Sequence, residues 1–125
     1  MAMSSATFVI DTNIALSLLG NQLVEPLPTG IYYASLITEM ELLSYPKISD
    51  DQIKSVKQFL SLIEIIPLHD QIKNLAIQCR RSYQLKLPDA IIAATTQNLD
   101  GTLLTNDRKL LSLQVIKTRS LVCSS

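Results

Sequence analysis

Apolar positions in this chain fall into short unbroken runs separated by stretches with helical spacing. Thr7, Phe8, Val9 and Ile10 are β-favouring and end in a carboxylate, which predicts a first strand over Thr7–Asp11. Thr12 or Asn13 is placed to cap a short apolar helix that stops near Gly20. Asn21–Gly30, with Pro26 and Pro28, has no periodicity and reads as a loop. Ile31–Ala34 is a second strand; Ser35 then starts a helix through SLITEMELLSY that Pro46 ends. Asp50 is expected to cap a longer helix in which Ile53, Val56, Leu60 and Ile63 keep helical spacing. IEIIPL, Ile63 to Leu68, contains a third strand, and Asp70 opens a helix with Ile72, Leu75, Ala76, Cys79 and Tyr83 on one stripe. Pro88 suits a first helical turn, and DAIIAATTQN behind it is apolar nearly all round, which predicts a buried helix. Gly101 precedes a fourth strand, TLLT; a helical turn near Asp107–Leu111 and a fifth strand around Val115–Lys117 follow.

Short apolar strands alternating with helices predict an α/β fold whose parallel sheet is covered on both faces. The 125 residues suit one domain over 1–125, with no internal repeat or linker. A hydrophobic share of 47% and a mean hydropathy of +0.25 supply a core, while no apolar run approaches the roughly 18 residues of a membrane span. Cys79 and Cys123 form neither a disulfide framework nor a metal-binding spacing. The start, MAMSS, carries no basic leader, so a soluble protein of the reducing cytoplasm is expected. Net charge is zero, which removes any overall basic field, but acids dominate up to Ile66 and bases beyond it.

The candidate chemistry starts from Asp11. A carboxylate at the end of a buried strand costs several kcal/mol unless it is paired. Asp107 lies just beyond the fourth strand, and ligands of open parallel sheets bind at the carboxyl ends of the strands where strand order reverses. Asp89, beside Pro88, sits at a helix N-terminus, where the dipole favours an acid. Singly, Asp89 and Asp107 both read as helix caps. Together, acids converging in a low-dielectric crevice must take up protons or bind a cation. Oxygen donors without His or Cys select hard ions such as Mg²⁺ or Mn²⁺. Glu39 and Glu41 point about 200° apart on a helix. They flank a core face expected at Leu36, Ile37, Met40 and Leu43, and periodicity leaves the choice between them open. The sole histidine, His69, reads as a surface or capping residue, so no Ser–His–Asp arrangement can be built. Neither GxxxxGK[ST] nor GxGxxG is present.

VIDTN, TEMELLSYP, LPDAIIAAT and LLTND, in that order, resemble the PIN-domain nucleases, and more narrowly the small VapC-like toxins. The resemblance covers nearly the whole chain. It implies a PIN-like three-layer α/β/α fold with a short central parallel sheet of about five strands. It also implies a divalent-metal-dependent endoribonuclease that cuts single-stranded RNA as the toxin of a toxin–antitoxin pair. Carried over residue by residue, it assigns Asp11, Glu41, Asp89 and Asp107 as the acids that bind Mg²⁺ or Mn²⁺ and serve catalysis, choosing Glu41 over Glu39. Thr12, Asn13, Thr105 and Asn106 flank the acids as candidates to hold them or a bound water by hydrogen bonds. Arg80, Arg81, Lys86, Arg108 and Lys109 are candidates for backbone-phosphate contacts. A homodimer and a small VapB-like antitoxin are the implied partners. Leu16, Leu18, Leu19 and Leu23 exceed what one short helix needs for its own core and are available to such a partner. Asn21–Gly30 and the tail after Lys117 carry no family signature.

Two other readings compete. A phosphohydrolase of small phosphate esters, of the haloacid-dehalogenase type, also places an acid after the first strand. It uses DxD, however, where this chain has Asn13. A non-catalytic α/β interaction domain, receiver-like or scaffolding, would use the acids only as caps.

Overall fold

The computed structural model describes residues 5–124. Met1–Ser4, which hold most of the stretch read above for a leader, and Ser125 lie outside them. Five strands form one sheet: β1 (Thr7–Ile10), β2 (Ile31–Ser35), β3 (Glu64–Ile66), β4 (Thr102–Leu104) and β5 (Lys117–Arg119). Every pairing is parallel, in the order β3-β2-β1-β4-β5. The intervening helices are α1 (Thr12–Leu19), α2 (Leu36–Leu43), α3 (Asp50–Leu60), α4 (Asp70–Tyr83), α5 (Leu87–Leu99) and α6 (Arg108–Leu111).

Because strand side chains alternate between faces, β1 feeds two cores. Val9, with Leu103 and Ile66, packs against α4, α5 and Leu110 of α6. Phe8 and Ile10, with Leu104, pack against Ile14 and Ala15 of α1, Leu42 of α2, and Val56 and Leu60 of α3. The result is an α/β/α sandwich. Helix α5 is buried nearly all round from Ala90 to Thr96, with the Thr95 and Thr96 hydroxyls donating to the Ile91 and Ile92 carbonyls one turn back. Gly30 admits the chain to β2: a Cβ there would lie 2.6 Å from the Ala6 carbonyl oxygen and 2.7 Å from the Phe8 ring.

Several boundaries differ from the expectation, each for a local reason. Asp11, not Thr12 or Asn13, caps α1, and Ser49, not Asp50, caps α3 through a reciprocal capping box with Gln52. Ile63 lies beyond α3. Helix α2 ends at Leu43, three residues before Pro46, because a proline disfavours helical backbone in the residue preceding it. Its buried face is Thr38 and Leu42, whereas Met40, expected in the core, is 56% exposed. Thr38 is buried because its hydroxyl finds a polar neighbour, which a hydropathy wheel does not register. Strand β5 begins two residues later than the apolar Val115–Ile116 pair suggested; KTR is an edge strand, where charge protects against further pairing.

The chain beyond β5 turns back over the second core. Leu121 is 3% exposed there. Leu23 and Cys123 form an antiparallel bridge, so the featureless Asn21–Gly30 loop and the tail hold each other.

Candidate functional site

The strand order reverses between β1 and β4, and the acids gather there. The Asp11 backbone N–H donates to the Leu104 carbonyl (3.0 Å), one last rung before the chain leaves the sheet for α1. Its side chain is 5% exposed and accepts two hydrogen bonds, from Thr12 N–H at Oδ1 (2.8 Å) and from the Thr105 hydroxyl at Oδ2 (2.6 Å). Burial nevertheless pushes its pKa from 3.8 up to about 6, and the charges of Asp89 and Asp107 add to the rise against those two hydrogen bonds. Thr105 is itself fixed: its N–H reaches the Arg119 carbonyl (3.1 Å), and its hydroxyl accepts from Asp107 N–H (3.0 Å).

Asp107 caps α6, accepting from Leu110 N–H at 3.0 Å. Asp89 lies in the first turn of α5, half-buried, behind Lys86 at a helix start that has no side-chain cap. Burial raises its pKa first, then the charges of Asp107 and Glu41, with Lys86 and Lys109 pulling the other way. Glu41 accepts a 2.6 Å bond from the Thr12 hydroxyl, which also lies 3.2 Å from the buried Thr38 hydroxyl. From the ends of β4, α5 and α2, the charges of Asp89 and Asp107 thus act on Asp11, and those of Asp107 and Glu41 act on Asp89.

The flanking polar residues divide. Thr12 and Thr105 each hold a carboxylate. Asn13 and Asn106, expected to hold an acid or a bound water, make no hydrogen bond to an acid: Asn13 accepts from Asn106 N–H (3.4 Å), and the Asn106 amide faces the tail, donating to the Leu121 carbonyl (2.8 Å) and accepting from Leu121 N–H (3.0 Å). In extended backbone, Thr105 and Asp107 share a side and the residue between them points opposite. Thr38 was missed, because what marks it is its contact with the Thr12 hydroxyl, 26 residues away in sequence. His69 caps α4, its Nδ1 accepting from Ile72 N–H (3.4 Å).

The bases are all exposed. Arg80 and Arg81 occupy the last turn of α4, Lys86 caps α5, and Arg108 and Lys109 open α6. Lys109 also donates to the Gln84 carbonyl (2.7 Å), where α4 ends in a left-handed residue.

An all-carboxylate set whose charges oppose ionisation of its more buried members, Asp11 and Asp89, has the donor chemistry of a hard divalent cation. Among the described residues, no three His, Cys, Asp or Glu side chains are drawn into a ligand cluster. The acids share a field rather than a closed cage. Apart from them, an apolar groove of about 640 Å³ runs between α1, α2 and α3, lined by Leu16, Leu19, Leu42, Tyr45 and Val56 among others. No helix of the described residues is long and apolar enough to cross a membrane.

A five-stranded parallel sheet between helical layers, with acids at its switch point, is a PIN-like α/β/α architecture. The chain belongs to the PIN domain family, whose model matches residues 8–115. A toxin–antitoxin complex from Klebsiella pneumoniae contains a chain 33% identical, with a TM-score of 0.72 over 90% of this chain and 95% of that one. The fold also matches a DNA-bound VapBC from Salmonella typhimurium (21% identity, TM-score 0.79, 92% and 98% of the two chains). VapBC2 from Rickettsia felis, bound to a DNA fragment from their promoter, matches comparably (18%, 0.78, 93% and 99%). No curated protein matches.

Proposed function

We propose that this protein is a divalent-metal-dependent endoribonuclease acting on single-stranded RNA, the toxin of a toxin–antitoxin pair. The observation that carries the reading is the buried Asp11 carboxylate at the carboxyl edge of the sheet, held by Thr12 and Thr105 within reach of the charges of Asp89 and Asp107, with Glu41 in turn within reach of Asp89. Asp11 and Asp107 also cap helices, but a cap needs no further carboxylates in its field, and Asp11 has both Asp89 and Asp107 in its own.

Mg²⁺ or Mn²⁺, held by Asp11, Asp89, Asp107 and Glu41, would supply Lewis acidity and a water acidic enough to lose its proton near neutral pH. The chain's own side chains do the rest. The Thr105 hydroxyl and Thr12 N–H fix both oxygens of Asp11, so its carboxylate presents a set direction, and the Thr12 hydroxyl does the same for Glu41. Lys86 and Lys109, whose charges reach Asp89, would meet the phosphodiester nearest the acids, and Arg80, Arg81 and Arg108, exposed on α4 and α6, would contact phosphates further along the RNA strand. Contacts of this kind hold the strand without reading its bases.

The α1–α2–α3 groove supports the partner reading. Leu16 is 38% exposed at its edge, and Lys47 and Asp51 border it, a setting for an amphipathic segment of a small antitoxin. A homodimer completes the assembly proposed. Incubation with labelled single-stranded RNA and with p-nitrophenyl phosphate, each with Mg²⁺ or with chelator, tests the activity. Metal-dependent cleavage of the RNA alone is expected. Turnover of the ester alone indicates a small-molecule phosphohydrolase, and inactivity on both a binding domain.

A further inference from the structure

Asn106 stands inside the TND stretch, yet its side chain turns from the acids to read the main chain of Leu121 at two points. An amide that pairs with both the N–H and the C=O of one residue copies the hydrogen bonding of a neighbouring strand. With Thr105 N–H on the Arg119 carbonyl, this registers the chain leaving β5 against the loop leaving β4. The tail is anchored further along. Leu121 is buried in the second core, Val24 N–H donates to the Val122 carbonyl (2.9 Å), and Ser124 N–H donates to the Gln22 carbonyl (2.7 Å). Gln22 and Val24 follow α1, which Asp11 caps and Thr12 opens. The connections therefore close a ring: Asp11 to Thr105, Asn106 to Leu121, tail to the loop after α1, and α1 back to Asp11.

We propose that the C-terminal segment Leu121–Ser124 is a positioning element of the active site, acting through Asn106. The segment makes no hydrogen bond to an acid. It fixes the one residue between Thr105 and Asp107, and thereby the direction in which both present their oxygens. Without it, the loop after β4 keeps its covalent ends and its contact with Asn13 but loses the two-point clamp on its outer side. Asp107 then samples directions away from Asp11 and Asp89. The activity arm of this proposal rests on the nuclease reading above; the structural arm does not.

The test compares wild type with Asn106→Ala, Asn106→Asp, a chain ending at Ser120, and that truncation combined with Asn106→Ala. Three quantities are read: cleavage of single-stranded RNA in Mg²⁺, the rise in melting temperature on adding Mn²⁺, and hydrogen exchange at the Asp107 and Leu110 amides. Asn106→Ala should lose roughly ten- to hundredfold in kcat, the range of groups that orient a ligand, with KM for RNA little changed. It should also have a smaller Mn²⁺ response and faster exchange at both amides. Asn106→Asp should behave likewise, because a carboxylate accepts from Leu121 N–H but cannot donate to its carbonyl. In the truncated chain, Asn106→Ala should add no further loss, because the clamp is already gone. An Asn106→Asp variant with an equal or larger Mn²⁺ response places Asn106 toward the cation and overturns the proposal. Additive losses in the double variant overturn it too. If the truncated chain does not fold, the point variants decide through exchange at Asp107: unchanged protection contradicts the proposal. A wild type that cuts no RNA, with exchange and Mn²⁺ response behaving as expected, removes the nuclease reading and leaves the positioning role standing.

Discussion

The hydroxyl of Thr105 donates to the carboxylate of Asp11 at 2.6 Å, joining the loop after β4 to the start of α1 at the point where strand order reverses. Both residues are buried, Thr105 completely. Their bond lowers the pKa of a carboxyl that burial and two like charges raise. Thr105→Val keeps the shape and removes the hydroxyl, leaving Asp107 N–H without its acceptor and Asp11 with one donor fewer. A loss of about 1–3 kcal/mol in stability is expected, together with a ten- to hundredfold drop, roughly, in activity or metal affinity. Urea denaturation and Mn²⁺ titration measure the two.

Asp11 also makes stability depend on pH. Its folded carboxyl holds a proton up to about 6, whereas the unfolded one releases it near 3.8, so the folded state binds more protons between those values. Stability in chelator therefore falls as pH rises through that window; the penalty is absent below it and complete above it, on the order of 3 kcal/mol. Asp11→Asn removes the titration and retains a capping oxygen. At pH 7 without metal the variant should melt higher than wild type, and near pH 3.5 the difference should vanish. Equal melting temperatures at pH 7 contradict a charged, uncompensated Asp11.

Much of this was legible before any coordinates, and the limits are instructive. Strands β1, β2 and β4 stand out because buried parallel strands are continuous apolar runs, and α5 because no polar face interrupts it. Strand β5 was misplaced because KTR carries an edge strand's charges instead of an apolar signal. Asp11 and Asp107 were legible as acids following separate strands. Glu41 was not separable from Glu39 by periodicity, because what sets it is the Thr12 hydroxyl, a contact between segments distant in sequence. Thr38 was invisible for the same reason. The tail's role was illegible altogether: Asn106 binds the main chain of Leu121, and main-chain hydrogen bonds leave no mark on residue type.

Divalent metal should stabilise the protein through the folded site alone. At a concentration a hundredfold above Kd, Mn²⁺ contributes about 2.7 kcal/mol, read as a rise in melting temperature that grows with concentration. The rise should shrink in Asp89→Asn, which leaves three acids, and be lost when Asp11→Asn is added. A melting temperature indifferent to Mn²⁺ and Mg²⁺ in wild type counts against the metal reading.

The groove between α1, α2 and α3 should bind the antitoxin independently of catalysis. Leu16→Asp places a charge at its exposed edge, away from the acids. Co-purification with the product of the adjacent reading frame should fall at least tenfold, with RNA cleavage by the isolated variant kept within about twofold of wild type; a charge facing an apolar partner costs more than the roughly 1.4 kcal/mol that a tenfold change represents. Retained binding moves the partner elsewhere on the surface.

The central claim is that Asp11, Asp89, Asp107 and Glu41 hold a divalent cation together. Crystals grown with Mn²⁺ test it through anomalous scattering from the ion. The expected result is a peak in the crevice, with oxygens of Asp11 and of at least one of Asp89 and Asp107 at roughly 2.1 Å, a spacing like that of octahedral Mg²⁺, and absent in Asp11→Asn. A peak elsewhere on the surface with the crevice empty at saturating Mn²⁺, or one that survives Asp11→Asn unchanged, would contradict the account.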